Sequence, residues 1–511
     1  MADKTKFIEE LNAKYQPKGE YIVLGKGMLD GEVITEVDVN IPLKTINRHG
    51  LIAGATGTGK TKTLQVFVEQ LSHKGIPTLV MDIKGDLSGI AVEGEQNDKI
   101  NERYAKTKLP YQPQSFPVEL MTISAEKGLK LRATVTEFGP VLLSKILGLN
   151  DTQSSIMSIV FKYADDKGLP LIDLDDLKKT LQYVTDNDEG KKELASNYGA
   201  ISPASLGAIL RSIVAMEQQG ATSFFGEPSF DVEDLLQTRG GKGVVNVLRV
   251  ADIQNQPQLF STFMLSLFAE IYMTFPEEGD SGKPKLVLFI DEAHLIFNEA
   301  SKALLSQIET MVKLIRSKGV GIYFITQIPG DVPENVLAQL GLKIQHALRG
   351  FTAKDRKEID KAVENYPITE YYDAGNLIQN LGIGEAFVTA LDEKGIPTPL
   401  VQTYLISPES RMDVLSSDEI DDLVNASDLA EKYNKEIDKE SAYEILTKRM
   451  ETAAAAEQEV KQEESTARQP KEEPGMFEQV LKSRAGRTFT NTLAREGAKF
   501  VLGMFGLKMR R

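Results

Sequence analysis

The chain has 511 residues, of which 41% are hydrophobic and 26% are charged, and this profile is that of a globular protein with about two to four domains. Cysteine is absent, which excludes disulfides and zinc–sulfur sites, and no apolar run reaches the length of a membrane span or resembles the core of a signal peptide. The net charge of −15 argues against a protein that coats nucleic acid but allows a local basic lining, and we expect a cytoplasmic protein.

The first 45 residues predict a short segment with a polar helix, ending near Pro17, and two strand-like pieces at residues 21–24 and 32–35. An apolar strand at residues 51–53 then runs into a glycine-rich turn and an apolar-periodic helix. Because only about fifty residues precede this turn, we expect no large N-terminal domain.

The glycine-rich turn fits the pattern G-x-x-x-x-G-K-[ST], which is the P-loop, and it lies between a strand and a helix as that motif requires. Its glycines let backbone N–H groups approach phosphate oxygens, and the helix directs its positive end at the anion. Lys60 would reach the β- and γ-phosphates of a nucleotide, and Thr61 would offer its hydroxyl to Mg²⁺. The predicted nucleotide-binding residues are Gly54, Ala55, Thr56, Gly57, Thr58, Gly59, Lys60, Thr61 and Lys62.

A second buried strand at residues 77–82 follows this helix, and strand, helix and strand at this spacing predict a parallel sheet. Residues from about 125 to 240 are mostly helical in pattern, which we interpret as an insertion in a nucleotide-binding domain of residues 46–405. Within the insertion, the polar residues 186–199 predict a loop.

A buried strand at residues 285–290 ends in Asp291 and Glu292, the acidic partner that a P-loop needs. Asp291 would hold Mg²⁺, and Glu292 would act with Lys60 as a catalytic residue by polarising the attacking water. Gln327 ends the following strand, at the edge where ligands of α/β sheets bind, so it either orients that water or serves as a turn residue. We expect His294 to be a structural residue at a helix start.

Hydrolysis develops negative charge on the transferred phosphoryl group, and an arginine normally compensates for it. Arg316 lies at a helix end, where we expect it at the sheet edge opposite its own P-loop, which favours delivery to a neighbouring subunit. Arg48, directly before the P-loop strand, is a second candidate, and Lys343 and Arg349 form a third basic group of undefined role. A surface or helix-end arginine is the alternative for Arg316 and Arg48.

The composition becomes polar after residue 405, which predicts a polar helical region over residues 406–450 and a disordered linker over residues 451–475. Residues 476–511 are net basic with interleaved apolar residues, and they predict an amphipathic segment. This segment would bind nucleic acid, an anionic membrane surface or another subunit, or else dock on its own chain.

Three stretches resemble the HerA-like branch of the HerA–FtsK ATPases, and in particular the bacterial family of HerA-like C-terminal-domain proteins. They are the P-loop at 54–61, Asp-Glu-Ala-His at 291–294, and Ile-Arg-Ser-Lys-Gly-Val-Gly-Ile-Tyr-Phe-Ile-Thr-Gln at 315–327. Similar stretches also include Asp-Ile-Lys-Gly-Asp-Leu-Ser-Gly at 82–89 and Gln-His-Ala-Leu-Arg at 345–349. The similarity covers about residues 20–410 and the tail at 486–506.

The resemblance implies an α/β fold: a RecA-like P-loop core with a mainly parallel sheet, a helical insertion and a helical C-terminal region. It also implies Mg²⁺-dependent hydrolysis of ATP, a homo-oligomeric hexameric ring and translocation on DNA. The resemblance further implies that Arg316 corresponds to the trans-acting arginine of the family and Arg48 to a second catalytic-site arginine. Ile328 and Lys343 stand where asparagine and arginine are expected in close relatives, and we expect no room for the N-terminal β-barrel that couples HerA to a nuclease.

The leading hypothesis is therefore a ring-forming ATPase that moves on DNA. The alternative is a nucleotide-dependent switch or assembly factor that acts on a protein or membrane partner, which the acidic net charge favours. A superfamily-2 helicase is rejected because its Ser-Ala-Thr and Q-x-x-G-R-x-G-R motifs are absent, and a non-enzymatic binding module would leave Glu292 without a role.

Overall fold

The computed structural model describes residues 3–452 except 254, 255, 280, 299–301, 436, 438 and 439. The chain divides into two compact units: unit 1 is Met1–Leu131 with Phe230–Lys435, and unit 2 is Arg132–Ser229 with Glu436–Arg511. The predicted basic segment and all but the first two residues of the predicted linker lie outside the described residues. None of the helices described has both the length and the apolar character that crossing a membrane requires.

Within the described residues, the strands all belong to unit 1. They are β1 (Tyr21–Leu29), β2 (Glu32–Pro42), β3 (Gly50–Ala53), β4 (Thr78–Asp82), β5 (Val118–Thr122), β6 (Leu129–Lys130), β7 (Thr238–Arg239), β8 (Lys242–Gly243), β9 (Val245–Arg249), β10 (Leu286–Ile290), β11 (Val320–Thr326), β12 (Leu342–Gln345), β13 (Glu385–Thr389) and β14 (Val401–Leu405). A twelve-stranded sheet has the order β2-β1-β14-β13-β12-β3-β11-β10-β4-β9-β5-β6, and β7 pairs with β8 separately. From β12 to β6 neighbouring strands are parallel, and from β2 to β12 they are antiparallel.

The α-helices belong to both units. They are, in chain order, α1 (Lys4–Tyr15), α2 (Lys60–His73), α3 (Asp98–Thr107), α4 (Val135–Ile146), α5 (Asp151–Lys167), α6 (Leu174–Asp186), α7 (Asp188–Asn197), α8 (Pro203–Gln218), α9 (Pro257–Thr274), α10 (His294–Asn298), α11 (Lys302–Ile315), α12 (Glu334–Leu337), α13 (Ala353–Glu364), α14 (Ala374–Asn380), α15 (Ser417–Asn425) and α16 (Ala430–Tyr433). Residues 442–452 are also helical. Helices α4 to α8 lie in unit 2.

The central strands β3, β11, β10 and β4 are buried along their whole length, as their continuous apolar runs require of parallel strands covered on both faces. Their register aligns Ala53 with Thr326, Phe324 with Ile290, and Ile290 with Met81. The residues that follow these strands therefore emerge together at one edge, which we call the carboxyl edge. The edge where the same strands begin is the amino edge.

The N-terminal residues contribute to this same sheet. Strand β1 pairs antiparallel with both β2 and β14, and Gly25 lies opposite Leu405. Helix α1 buries Phe7, Leu11 and Tyr15, which occupy one face at helical spacing. The partners of β1 are thus one strand close in sequence and one strand about 380 residues away.

Unit 2 contains a helix that the sequence prediction missed. The loop predicted at residues 186–199 is wrong, because α7 occupies most of it. The Asn187 side chain accepts hydrogen bonds from the N–H groups of Glu189 and Gly190, and Leu194 is buried. Asn187 and Gly190 therefore lie at the start of a helix, although asparagine and glycine are also typical of turns.

Candidate nucleotide-binding site

The glycine-rich turn between β3 and α2 has the backbone geometry of a phosphate cradle. Gly57 and Gly59 have φ angles of 79° and 109°, in the left-handed region that favours glycine. A Cβ atom at Gly54 would lie 2.5 Å from the Cβ of His346, closer than real side chains approach. Glycine is thus required for the turn to close at the N-terminus of α2, where unpaired N–H groups attract anions.

Lys60, the first residue of α2, extends its side chain back over the turn. Its ammonium donates to the carbonyl of Gly54 at 2.6 Å and to that of Ala55 at 3.1 Å. Burial, and then the positive charge of Lys84, lower the pKa of Lys60. The predicted phosphate-binding lysine therefore lies inside the cradle, at the position the motif requires.

The remaining predicted binding residues have varied surroundings. The Thr58 hydroxyl donates to the carbonyl of Ala55 at 2.7 Å, which closes the turn on itself. Thr61 is half-buried at the second position of α2. The ammonium of Lys62 donates to the carbonyl of Met412 at 2.6 Å, so the segment after β14 engages this side chain.

His346 lies directly behind the P-loop and was not predicted as a site residue. It is fully buried, with Nε2 3.0 Å from the hydroxyl of Thr63 in α2, and its backbone N–H donates to the carbonyl of Ala53 at 2.7 Å. Burial, and then the charge of Lys60, lower its pKa to about 3, so the ring is neutral at pH 7. The signal that could have found it is the similar stretch at 345–349, which β12 places beside β3.

Asp291 and Glu292 follow β10 at the carboxyl edge, and only 4% and 7% of their surfaces are exposed. Burial raises the pKa of Asp291 to about 7, with Lys84 opposing and Glu292 reinforcing the rise. Both carboxylates lie near enough to Lys60 for their charges to raise its pKa, against the burial that lowers it. Glu292 has a φ of 47°, a left-handed conformation that costs a non-glycine residue on the order of 1–2 kcal/mol.

Lys84 adds a second cation to this edge, and the sequence had not singled it out as a site residue. Its Nζ lies 2.6 Å from Oε1 of Glu292 and 4.0 Å from Oδ2 of Asp291. Burial works to lower its pKa, but the two carboxylates raise the pKa of Lys84 overall. The carboxyl edge therefore combines two cations, Lys60 and Lys84, with the two carboxylates.

Gln327 and His294 also lie at the carboxyl edge. Gln327 follows β11, the strand between the P-loop strand and the carboxylate strand, and it is exposed. His294 begins α10, at the helix start expected for it, and its Nδ1 lies 3.3 Å from Oε2 of Glu292. The edge therefore brings Gln327 into the neighbourhood of the predicted catalytic carboxylate.

Arg48 and Arg316 lie at the amino edge, where they precede β3 and β11. Both line one cleft of about 300 Å³, together with Lys44 and Lys313, and Glu393 is the acidic residue among its described lining residues. Arg316 lies before the seven residues of β11, which span about 20 Å, and Arg48 lies before the four residues of β3, which span about 13 Å, so both arginines lie at the edge opposite their own P-loop. The structure therefore brings the two predicted arginines together but separates them from the other predicted catalytic residues.

The third basic group is engaged by backbone carbonyls. Lys343, half-buried in β12, donates to the carbonyl of Asn365 at 3.2 Å. Arg349 donates to the carbonyl of Gln379. These contacts join β12 and the residues after it to the segment around α13 and α14.

A parallel α/β sheet with a P-loop after a central strand and a carboxylate pair beside it defines the P-loop ATPase class. Two solved structures of the conjugative coupling protein TrwB are similar in fold. The complex with the ATP analogue ADPNP has a TM-score of 0.51 and 14% identity, covering 82% of this chain and 96% of that chain. The trigonal form with sulphate has a TM-score of 0.50 and 15% identity, covering 81% and 95%.

The family model described as "Helicase HerA-like C-terminal" matches residues 29–505. The chain therefore belongs to the HerA-like C-terminal family, which confirms the resemblance predicted from its motifs. It is also 22% identical over 385 residues to the DNA double-strand break repair helicase HerA of Saccharolobus solfataricus, covering 74% of this chain and 68% of that protein. The predicted α/β class with a mainly parallel RecA-like sheet and a helical insertion is confirmed as well.

Proposed function

We propose that this chain is a motor that hydrolyses Mg²⁺-bound ATP, assembles as a hexameric ring and moves on DNA. The observation that carries the proposal is the distribution of charge across the sheet of unit 1. The P-loop and carboxylates occupy the carboxyl edge, and the two predicted arginines occupy the amino edge. Membership of the HerA-like family, and similarity to a protein named as a DNA repair helicase, support DNA as the substrate.

The residues of the carboxyl edge suit a triphosphate with Mg²⁺. The amide groups at the start of α2 and the Lys60 ammonium supply donors for phosphate oxygens, and the ammonium would exchange its two carbonyl partners, Gly54 and Ala55, for them. The hydroxyl of Thr61 and the carboxylate of Asp291 are the oxygen ligands that Mg²⁺ prefers.

Glu292 and Gln327 take the catalytic roles at this edge. Glu292 accepts a proton from the attacking water, and its burial strengthens every electrostatic interaction that it makes. Gln327 follows the adjacent strand and orients the same water. The bound Mg²⁺ would neutralise charge on the phosphates, while these two side chains act on the nucleophile.

The arginines act on the nucleotide of the next subunit. The lengths of β3 and β11, about 13 Å and about 20 Å, separate Arg48 and Arg316 from their own P-loop, so within one chain they do not compensate the charge that hydrolysis develops. A head-to-tail contact that joins the amino edge of one copy to the carboxyl edge of the next would complete each site. Repeated around a closed rotation, such a contact generates a ring.

The second candidate is a nucleotide-dependent switch that acts on a protein or membrane partner. The net charge of −15 is the observation that favours it. The same P-loop and carboxylates would then time the assembly of a partner instead of movement along DNA.

ATP hydrolysis with and without duplex DNA, over about 50–300 mM salt, separates the two functions. A DNA motor is expected to hydrolyse ATP several-fold faster with DNA, and its apparent DNA affinity should fall steeply with salt because phosphate contacts release counterions. Lys60→Ala is the control and should lack both basal and stimulated activity. Hydrolysis that is indifferent to DNA at every salt concentration, together with no DNA binding, would favour the switch.

A further inference from the structure

The turn after β4 holds a lysine against the carboxylate pair. Asp82 is 1% exposed and accepts hydrogen bonds from the backbone N–H groups of Gly85 at 2.7 Å and Leu87 at 3.0 Å. Gly85 has a φ of 73°, which a residue with a side chain adopts only under strain. These contacts fix the backbone on both sides of Lys84. The side chain of Lys84 therefore extends from a defined point.

Glu292 receives that lysine, and its two carboxylate oxygens have different surroundings. Oε1 lies 2.6 Å from the Lys84 ammonium. Oε2 is buried and makes no hydrogen bond to the described residues, although Nδ1 of His294 lies 3.3 Å away. The left-handed backbone of Glu292 shows that the surroundings impose this arrangement on the residue. One oxygen is therefore held, and the other is left for a reactant.

We propose that Lys84 is a positioning residue for hydrolysis, which fixes the carboxylate of Glu292 by holding Oε1 and so presents Oε2 to the attacking water. This inference rests on the proposed role of Glu292 as the base. In the step itself, the water oxygen bonds to the γ-phosphorus, the bond to the bridging oxygen breaks, and the water proton passes to Oε2. Lys84 keeps its own proton throughout and acts only through Glu292.

The contacts distinguish this role from that of a second phosphate ligand. Lys60 already lies inside the cradle, whereas the Lys84 ammonium is committed to Glu292 and lies within 4.0 Å of Asp291. An ion pair in this geometry orients a carboxylate that its own backbone already constrains. Loss of Lys84 should therefore affect the rate of chemistry and leave nucleotide binding intact.

The test measures kcat and KM for ATP, single-turnover hydrolysis, and binding of a fluorescent ATP analogue, using the full chain. Lys84→Met is expected to lower kcat by about 10–100-fold with KM and analogue affinity nearly unchanged, because small misplacements of a reacting group cost this much. Lys84→Arg should recover part of the loss, since it keeps the charge. Lys127→Met is the matched control, because Lys127 pairs with exposed Asp421 elsewhere in unit 1.

A double variant decides between acting through Glu292 and acting independently of it. In a Glu292→Gln background, Lys84→Met should cause no further loss of single-turnover rate. Losses that multiply, or a Lys84→Met protein that loses analogue binding, would overturn the inference in favour of a phosphate ligand. If Lys84→Met hydrolyses ATP at the wild-type rate while Glu292→Gln shows a large loss, only the inference about Lys84 is overturned. If Glu292→Gln itself hydrolyses ATP at the wild-type rate, the proposed function is overturned as well.

Discussion

The two edges of the unit 1 sheet are built in different ways. At the carboxyl edge, the start of α2 and the end of β10 bring Lys60, Asp291 and Glu292 into one buried group of a cation and two carboxylates. At the amino edge, the segment before β3, the end of α11 with the turn after it, and the loop at Glu393 bring four cations and one carboxylate to the described lining of a single cleft. Under the proposed function, the first arrangement binds and activates the nucleotide, and the second supplies positive charge to the P-loop of the next copy. A complete catalytic site would then need both edges, from two copies of the chain.

The largest expected effects separate binding from chemistry within the carboxyl edge. Glu292→Gln should lower kcat by about 10²–10⁴-fold while it retains nucleotide binding, because it removes a base without removing a phosphate ligand. Lys60→Ala should lose binding and hydrolysis together, since it removes the cation inside the cradle. Equilibrium binding of a fluorescent ATP analogue beside steady-state hydrolysis checks both. Equal loss of binding in the two variants would erase this distinction.

A smaller effect is expected from the lysines of the amino edge. Lys313→Gln and Lys44→Gln each remove one charge from the cleft that Arg48 and Arg316 line. Each should reduce hydrolysis by roughly tenfold or less, and more at low salt than at high salt, because exposed charges act over a screened distance. Lys162→Gln is the control, because Lys162 pairs with Asp166 on a helix of unit 2. Activity that is unchanged at every salt concentration would leave these lysines outside the shared site.

The smallest predicted effect concerns a buried histidine at the amino edge. Nε2 of His49 lies 2.9 Å from the carbonyl of Val312, and its Nδ1 accepts from the N–H of Ile322 at 3.0 Å, so the neutral ring ties the end of α11 to β11. Burial lowers its pKa to about 4, with the charge of Arg316 adding to the effect. Because this pKa is depressed on folding, the stability that His49 contributes is present above about pH 6.5 and is lost as pH falls toward 4.

Thermal or urea unfolding of wild type and His49→Asn checks this sign. Their difference in free energy of unfolding should shrink by up to about 1.4 kcal/mol for each pH unit below 6.5. Comparing the two proteins cancels the opposite contributions of buried carboxyl groups such as Asp291, whose pKa is raised. His73→Asn, at an exposed position, is the control. A difference that grows on acidification would contradict the neutral, bonded ring.

The sequence alone predicted those features of the fold and the site that a local residue pattern encodes. The P-loop, the carboxylates that follow β10 and the placement of Arg316 away from its own P-loop all follow from a strand, its end and the periodicity beside it. His346 and Lys84 were missed because their significance depends on strand order, which places β12 beside the P-loop strand β3 and β4 beside the carboxylate strand β10. The pairing of β1 with β14 has no local signal for the same reason. Helix α7 was missed because capping residues and turn residues are chemically alike.

The most direct measurement mixes two inactive proteins, Lys60→Ala and Arg316→Ala, and follows ATP hydrolysis. If one subunit's arginine serves the next subunit's P-loop, mixed rings contain intact sites, and hydrolysis should rise to as much as about a quarter of wild type in an equal mixture. Each variant alone should stay inactive. A mixture of co-assembled subunits that remains as inactive as its components would contradict the shared site, and with it the role proposed for the amino edge.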